Sequence, residues 1–167
     1  MKLFSANIED LRTLYVANLQ KALDMEQKIT DALPKMIEKS TDPDLIAAFK
    51  THLQETRGHV TKVESLLHKA TGEASTETCK VINGLITEAN DTIKDVTDPG
   101  VLNVALIGAA QQVEHHEIAV YGTLRTWANI LGETDDAAVL ESILEQEENA
   151  DEVLTSISDH VNIQAAA

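Results

Sequence analysis

Long stretches of this chain repeat apolar residues in alternating steps of four and three, and that repeat limits the fold more than any other feature. The first stretch reads Tyr15, Leu19, Ala22, Glu26, Ile29, Leu33, Met36. Such spacing lines one face of an α-helix, and a long helix with one apolar face is stable only when packed against others. Three more stretches do the same. One holds Leu45, Ile46, Phe49, Leu53, Val60, Val63 and Leu67. The next holds Ile107, Ala110, Glu114, Glu117, Tyr121, Leu124, Ala128 and Leu131. The last holds Ala137, Leu140, Leu144, Glu147, Asp151, Leu154, Ser158 and Val161. The pattern predicts long helices over about 8–39, 43–71, 99–131 and 135–161, in an all-α single domain spanning 1–167.

The breaks fit this reading. Asn7 is placed to cap the first helix, beginning near Ile8, and Pro34 is placed to kink its last turns. Asp42-Pro43 stops one helix and starts another, Gly72 terminates the second, and Asp98-Pro99 opens the third, which ends at Gly132. Between Gly72 and Pro99 a shorter helix is expected over about 76–95, opened by Ser75 or Thr76. That connection is too long for an ordinary bundle turn and suits a crossover, after which the next long helix runs parallel to its predecessor. Gln164-Ala-Ala-Ala is expected to fray.

Charge and composition exclude several function classes. The net charge of −15 over 167 residues opposes nucleic acid and anionic membrane surfaces as partners. No apolar run spans a bilayer, and no signal peptide precedes the first helix. A single cysteine, Cys79, excludes an internal disulfide, fits a cytoplasmic location and reads as a buried, inert thiol. No Gly-rich phosphate loop, nucleophile elbow or CxxC pair is present.

The chemistry lies in the acids that interrupt the apolar stripes. Glu26, Glu114, Glu117 and Glu147 stand in the stripes themselves, Glu55 stands beside one, and each lies near the middle of its helix. Residues at mid-helix meet at one level of a bundle whichever way the helices run. The order also repeats: Glu55 follows Glu26 by 29 residues and Glu147 follows Glu114 by 33. Four residues after the second acid of each pair comes a potential companion, His59 and Asp151. Buried carboxylates are costly unless compensated. Two hard divalent cations would compensate them, and this donor set fits iron, with manganese as the alternative. Acids with few histidines would favour the ferric state. The alternative is a bundle that buries protonated or hydrogen-bonded carboxylates with no metal. His115 and His116 straddle the acid pair and are not assigned as ligands. His52, His68 and His160 are assigned to the surface or to satisfied edges, and Tyr121 to core packing.

Several runs together resemble the YciF-type ferritin-like family of bacterial stress-associated proteins. They are Glu26-Gln-Lys with Ala32-Leu-Pro-Lys-Met36, His52 to Gly58, Cys79 to Ala89, Ala109 to Leu124, and Glu145 to Asp151. The resemblance covers nearly the whole chain. It implies a ferritin-like four-helix bundle, a homodimer and a di-iron centre, with Glu26, Glu55, Glu114, Glu117 and Glu147 matching the acids of such sites. One departure stands out. Ferritin-like second helices carry Glu-x-x-His, whereas here Gly58 occupies the histidine position and His59 follows it. The implied activity is oxidation of Fe(II) by dioxygen or peroxide. The alternatives are manganese-dependent peroxide handling and a non-enzymatic structural or stress-response dimer.

Overall fold

The computed structural model describes residues 8–166, and five helices account for nearly all of them. Helix α1 spans Leu11–Lys39, α2 Pro43–Thr71, α3 Lys80–Asp95, α4 Pro99–Ile130 and α5 Thr134–Ala166. Among the described residues there is no strand.

Helix α1 starts later than the sequence suggests. Asp10, in extended backbone, accepts a hydrogen bond from the Thr13 amide at 2.7 Å, so α1 begins at Leu11 rather than Ile8. Asn7, the expected cap, lies outside the described residues. The helix carries through Pro34 to Lys39. Asp42 caps α2, accepting from Asp44 and Leu45 at 3.0 and 2.9 Å. Gly72 ends it at φ 85°, a left-handed conformation that a Cβ would strain. Asp98 caps α4 through the Val101 amide at 2.9 Å.

Helix α3 begins at Lys80, not near residue 76, because the preceding segment is committed to α1. The Glu77 amide donates to the Gln20 carbonyl, Gln20 Nε2 donates to Ser75 Oγ, and the Cys79 amide donates to Asp24 Oδ2. Helix α5 runs to Ala166, past the expected end and through the tail expected to fray. Three of its last residues are alanine or glutamine, which favour helix.

Contacts at the helix ends fix the directions. Lys69 Nζ meets Asp136 Oδ1 at 2.6 Å while His160 Nε2 approaches Asp42 Oδ2 at 3.5 Å, so α2 and α5 are antiparallel. Thr41, at the start of α2, exchanges hydrogen bonds with Asn103, at the start of α4. Helices α2 and α4 therefore run parallel, as a crossover through α3 requires. The core between them is aliphatic with a few aromatics: Leu19, Leu23, Leu45, Phe49, Leu67, Leu106, Leu124 and Leu140 are all 2% exposed or less. Each contributes roughly 1.5–3 kcal/mol by its burial.

Candidate metal centre

The apolar core is interrupted at one level. Glu26, His59, Glu117 and Glu147 are fully buried there, with Glu114 at 2% and His52 at 5% exposure. Helix α1 supplies Glu26, α2 supplies His52 and His59, α4 supplies Glu114 and Glu117, and α5 supplies Glu147. All six stand in stripes whose other members are core residues, which is why the side chains converge.

Two groups of donors share Glu147. His52, Glu114, Glu117 and Glu147 offer atoms that all lie within 4.8 Å of one another, as do Glu26, His59 and Glu147. His59 Nδ1 is 2.9 Å from Glu147 Oε1 and 3.6 Å from Glu26 Oε2. The first contact is within ion-pair distance but not aligned as a hydrogen bond. His52 Nε2 is 3.4 Å from Glu114 Oε1, and its Nδ1 is 3.8 Å from Glu147 Oε2.

Most of these atoms have no hydrogen-bond partner: Glu26 Oε2, both nitrogens of His52, His59 Nδ1, Glu114 Oε2, and both oxygens of Glu117 and Glu147. Buried polar atoms are nearly always paired, so a concentration of orphans at one point marks a place where something else is to be bound. Among the described residues, no lysine or arginine forms a salt bridge with any of these four acids.

Electrostatics agrees with geometry. Burial pushes Glu114 and Glu117 well above the ordinary carboxylate range, and the facing Glu147 adds to it. Glu26 is also raised by burial, with His59 opposing. Burial disfavours the charged form of His59, yet its contacts with Glu147 and Glu26 outweigh this and raise it to about 10. His52 is lowered by burial. Without cations, protons must neutralise this cluster. Two divalent cations would replace those protons with charge equal to that of its four carboxylates.

The residues present therefore fit a metal pair: oxygen donors predominate, with one imidazole in each group, a set suited to iron or manganese. Two further groups touch the cluster without belonging to it. Tyr121 donates its hydroxyl to Glu26 Oε1 and packs edge-on to the His59 ring at 6.4 Å. Its hydroxyl thus has a hydrogen-bonding role beyond core packing. His59 Nε2 lies 3.1 Å from Gln146 Oε1, a contact that orients the ring.

The structure redistributes the expected ligands on α2 and α5. Glu26, Glu114, Glu117, Glu147 and His59 come together. Glu55 does not: it is half-exposed, and its carboxylate accepts from the Gln146 amide at 3.5 Å, outside both donor groups. Asp151 is half-buried one turn beyond Glu147, with Oδ1 unpaired and 3.7 Å from His115 Nε2. It belongs to neither donor group, although it contributes to the raised pKa of Glu114. His52, assigned to the surface or a satisfied edge, is buried with both nitrogens unpaired. The signal for His52 was present. The buried residues of α2 are Leu45, Phe49, His52, Thr56, His59, Val63, Leu66 and Leu67, and from Leu45 to Leu66 the steps alternate four and three without a break. Tracing the stripe through Leu53 and Val60 instead sets Glu55 inward beside His59 and hides His52. The true register also accounts for Gly58, which is exposed. Three positions before His59 stands Thr56, its hydroxyl bonded back to the His52 carbonyl at 2.8 Å.

Fold and site together define a helical bundle whose core holds a glutamate–histidine cluster compatible with metal binding. The chain belongs to the family described as a domain of unknown function, DUF892, which matches residues 10–167. It is 34% identical over 161 residues to protein YciF of Escherichia coli strain K12, covering 95% of this chain and 97% of that one. The crystal structure of that stress protein aligns with a TM-score of 0.87 at 33% identity, over 92% of this chain and 97% of its own. YcfI of Rhodopseudomonas palustris, provisionally described as a structural protein, aligns at 0.88 with 38% identity, over 92% and 98%. A protein from Xanthomonas campestris shares the fold at 24% identity, with a TM-score of 0.74 over 92% of this chain and 94% of its own. The chain is thus a YciF-like protein, and no helix among its described residues is long and apolar enough to cross a membrane.

Proposed function

We propose that the chain is a di-metal carboxylate protein of the stress response, holding two iron ions between Glu26, His52, His59, Glu114, Glu117 and Glu147. The observation that carries this is the cluster of orphaned donor atoms at one buried level, divided into two groups joined by Glu147. The metals would supply the electrons with which dioxygen or peroxide is reduced. The protein's own part is to hold the donors in place and exclude bulk water. It also keeps a proton beside the site on the Tyr121 hydroxyl, which burial and the adjacent Glu26 hold well above its ordinary pKa.

The test is metal content after anaerobic Fe(II) loading, followed by absorbance on exposure to oxidant. About two iron per chain is expected, with loss in Glu147→Gln, since Glu147 serves both groups. Less than one iron per chain, unchanged in that variant, would overturn the proposal. Competition between manganese and iron, with peroxide turnover measured for each, separates the manganese reading.

A second reading, a non-enzymatic structural or stress-response homodimer, has in its favour the structural description of the R. palustris relative. It predicts that variants lacking the buried acids keep their in vivo function. A solution mass measurement tests the dimer itself.

A further inference from the structure

A cavity of about 450 Å³ lies under the crossover helix, between α1, α3 and α4. Its volume is within the range of small-molecule sites. The cavity exists because α3 is incompletely seated. Ile82 is the only fully buried residue of that helix, while Leu85, Ile86 and Ile93 are half-buried along the face that meets the bundle. The walls are aliphatic, including Ile29, Leu33, Met36, Ile86 and Val113, and His52 and Glu114 close the inner end. One edge carries Lys28, Asp31 and Lys35.

We propose that this cavity binds a medium-chain carboxylate, its apolar tail running inward toward His52 and Glu114 and its carboxylate held at Lys35. The orientation follows from charge. The inner end is buried and holds no lysine or arginine, so an anionic head placed there would lose its hydration with no basic side chain to compensate it. The outer edge is different. Lys28 is engaged by Asp24 at 2.6 Å, whereas the partner of Lys35 is the neutral amide of Asn90. Among the described residues no acid lies within salt-bridge distance of Lys35, which leaves its charge for a bound anion despite the neighbouring Asp31. In a chain of net charge −15, an uncompensated cation beside an aliphatic cavity singles out one place where an anionic amphiphile is favoured. This goes beyond the metal reading, and the binding step does not depend on it.

The experiment is a calorimetric titration of the full chain with octanoate, decanoate and octanol, in chelator and again after iron loading. Saturable binding of one carboxylate per chain is expected in both states. The two extra methylenes of decanoate should tighten it about tenfold, and octanoate should bind about fivefold tighter than octanol. Ala109→Phe, which fills the cavity from α4, should weaken decanoate at least tenfold. Lys35→Gln, on an exposed residue and so a safe variant if Ala109→Phe misfolds, should erase the preference for octanoate over octanol. Absence of saturable binding, or undiminished binding in folded Ala109→Phe, would overturn the site. Equal affinity for octanol and octanoate in the unaltered protein would overturn the carboxylate assignment. Titration in chelator keeps the two readings apart, because failure to load iron leaves that arm unaffected.

Discussion

Replacing Glu117 with glutamine should stabilise the metal-free protein while damaging its metal binding. Glu117 is fully buried, neither carboxylate oxygen has a hydrogen-bond partner, and burial holds its pKa well above 4.5. In the unfolded chain the carboxyl titrates near 4.5 and is ionised at pH 7, whereas burial in the folded metal-free chain favours its protonated form. A group whose folded pKa is raised contributes stability that is fully present below the unfolded value and is lost as pH rises above it. Each pH unit over which the folded chain holds a proton that the unfolded chain has released costs about 1.36 kcal/mol. Glutamine has nearly the same shape and no proton to hold, so it removes that cost. At roughly 2–4 °C per kcal/mol for a chain of this size, the melting temperature in chelator at pH 7 should rise by roughly 3–5 °C for each such pH unit. The gain should shrink toward zero near pH 4.5. The assay is circular-dichroism melting of both proteins at several pH values, in chelator and with metal. Under metal the order should reverse, because glutamine is the weaker ligand. A variant that melts lower than the parent in chelator at pH 7, or whose gain is independent of pH, would refute the reasoning.

Three further outcomes follow from the same geometry. His52→Ala should lower iron loading by about one ion per chain, whereas Glu55→Ala should leave loading unchanged, since only His52 lies in a donor group; metal analysis of the two variants decides it. In chelator, the unaltered protein should become less stable as pH rises from 6.5 to 8, because His59, raised to about 10, keeps across that range a proton that the unfolded chain releases, and the raised Glu114 and Glu117 act in the same direction. Below 6.5 the lowered pKa of His52 opposes the trend, since charging it in the core costs stability, so pH-dependent melting should flatten there. Tyr121→Phe removes the hydrogen bond to Glu26 Oε1 and leaves that oxygen unpaired. It should cost about 1–3 kcal/mol in metal-free stability, measured by denaturant unfolding.

The second helix shows how much depends on register. Its sequence supports two stripes, one through Leu53 and Val60 and one through His52, Thr56 and His59. Local periodicity alone does not choose between them, because polar residues break the cleaner of the two. Tertiary packing chooses, by burying Thr56 and both histidines and leaving Glu55 at the edge. Consequently the site has two imidazoles and four carboxylates, a composition less biased toward the ferric state than acids alone. Helix ends show the same division. Asp42, Gly72 and Asp98 cap where their residue types dictate, because a cap is a local interaction. The start of α3 does not, because residues 75–79 are held by hydrogen bonds to residues 20 and 24.

By itself the sequence determined that this chain forms long amphipathic helices, where most of them begin and end, and that Glu26, Glu114, Glu117 and Glu147 lie inside them. These properties depend on neighbours within a turn or two, and the spacing of residues records them directly. Only the tertiary structure decided that α2 contributes His52 beside His59 rather than Glu55, that Glu147 joins two donor groups, and that Tyr121 caps one of them. Each depends on how one helix is rotated against three others. That rotation is set by the packing of all the stripes at once, which no single stripe encodes.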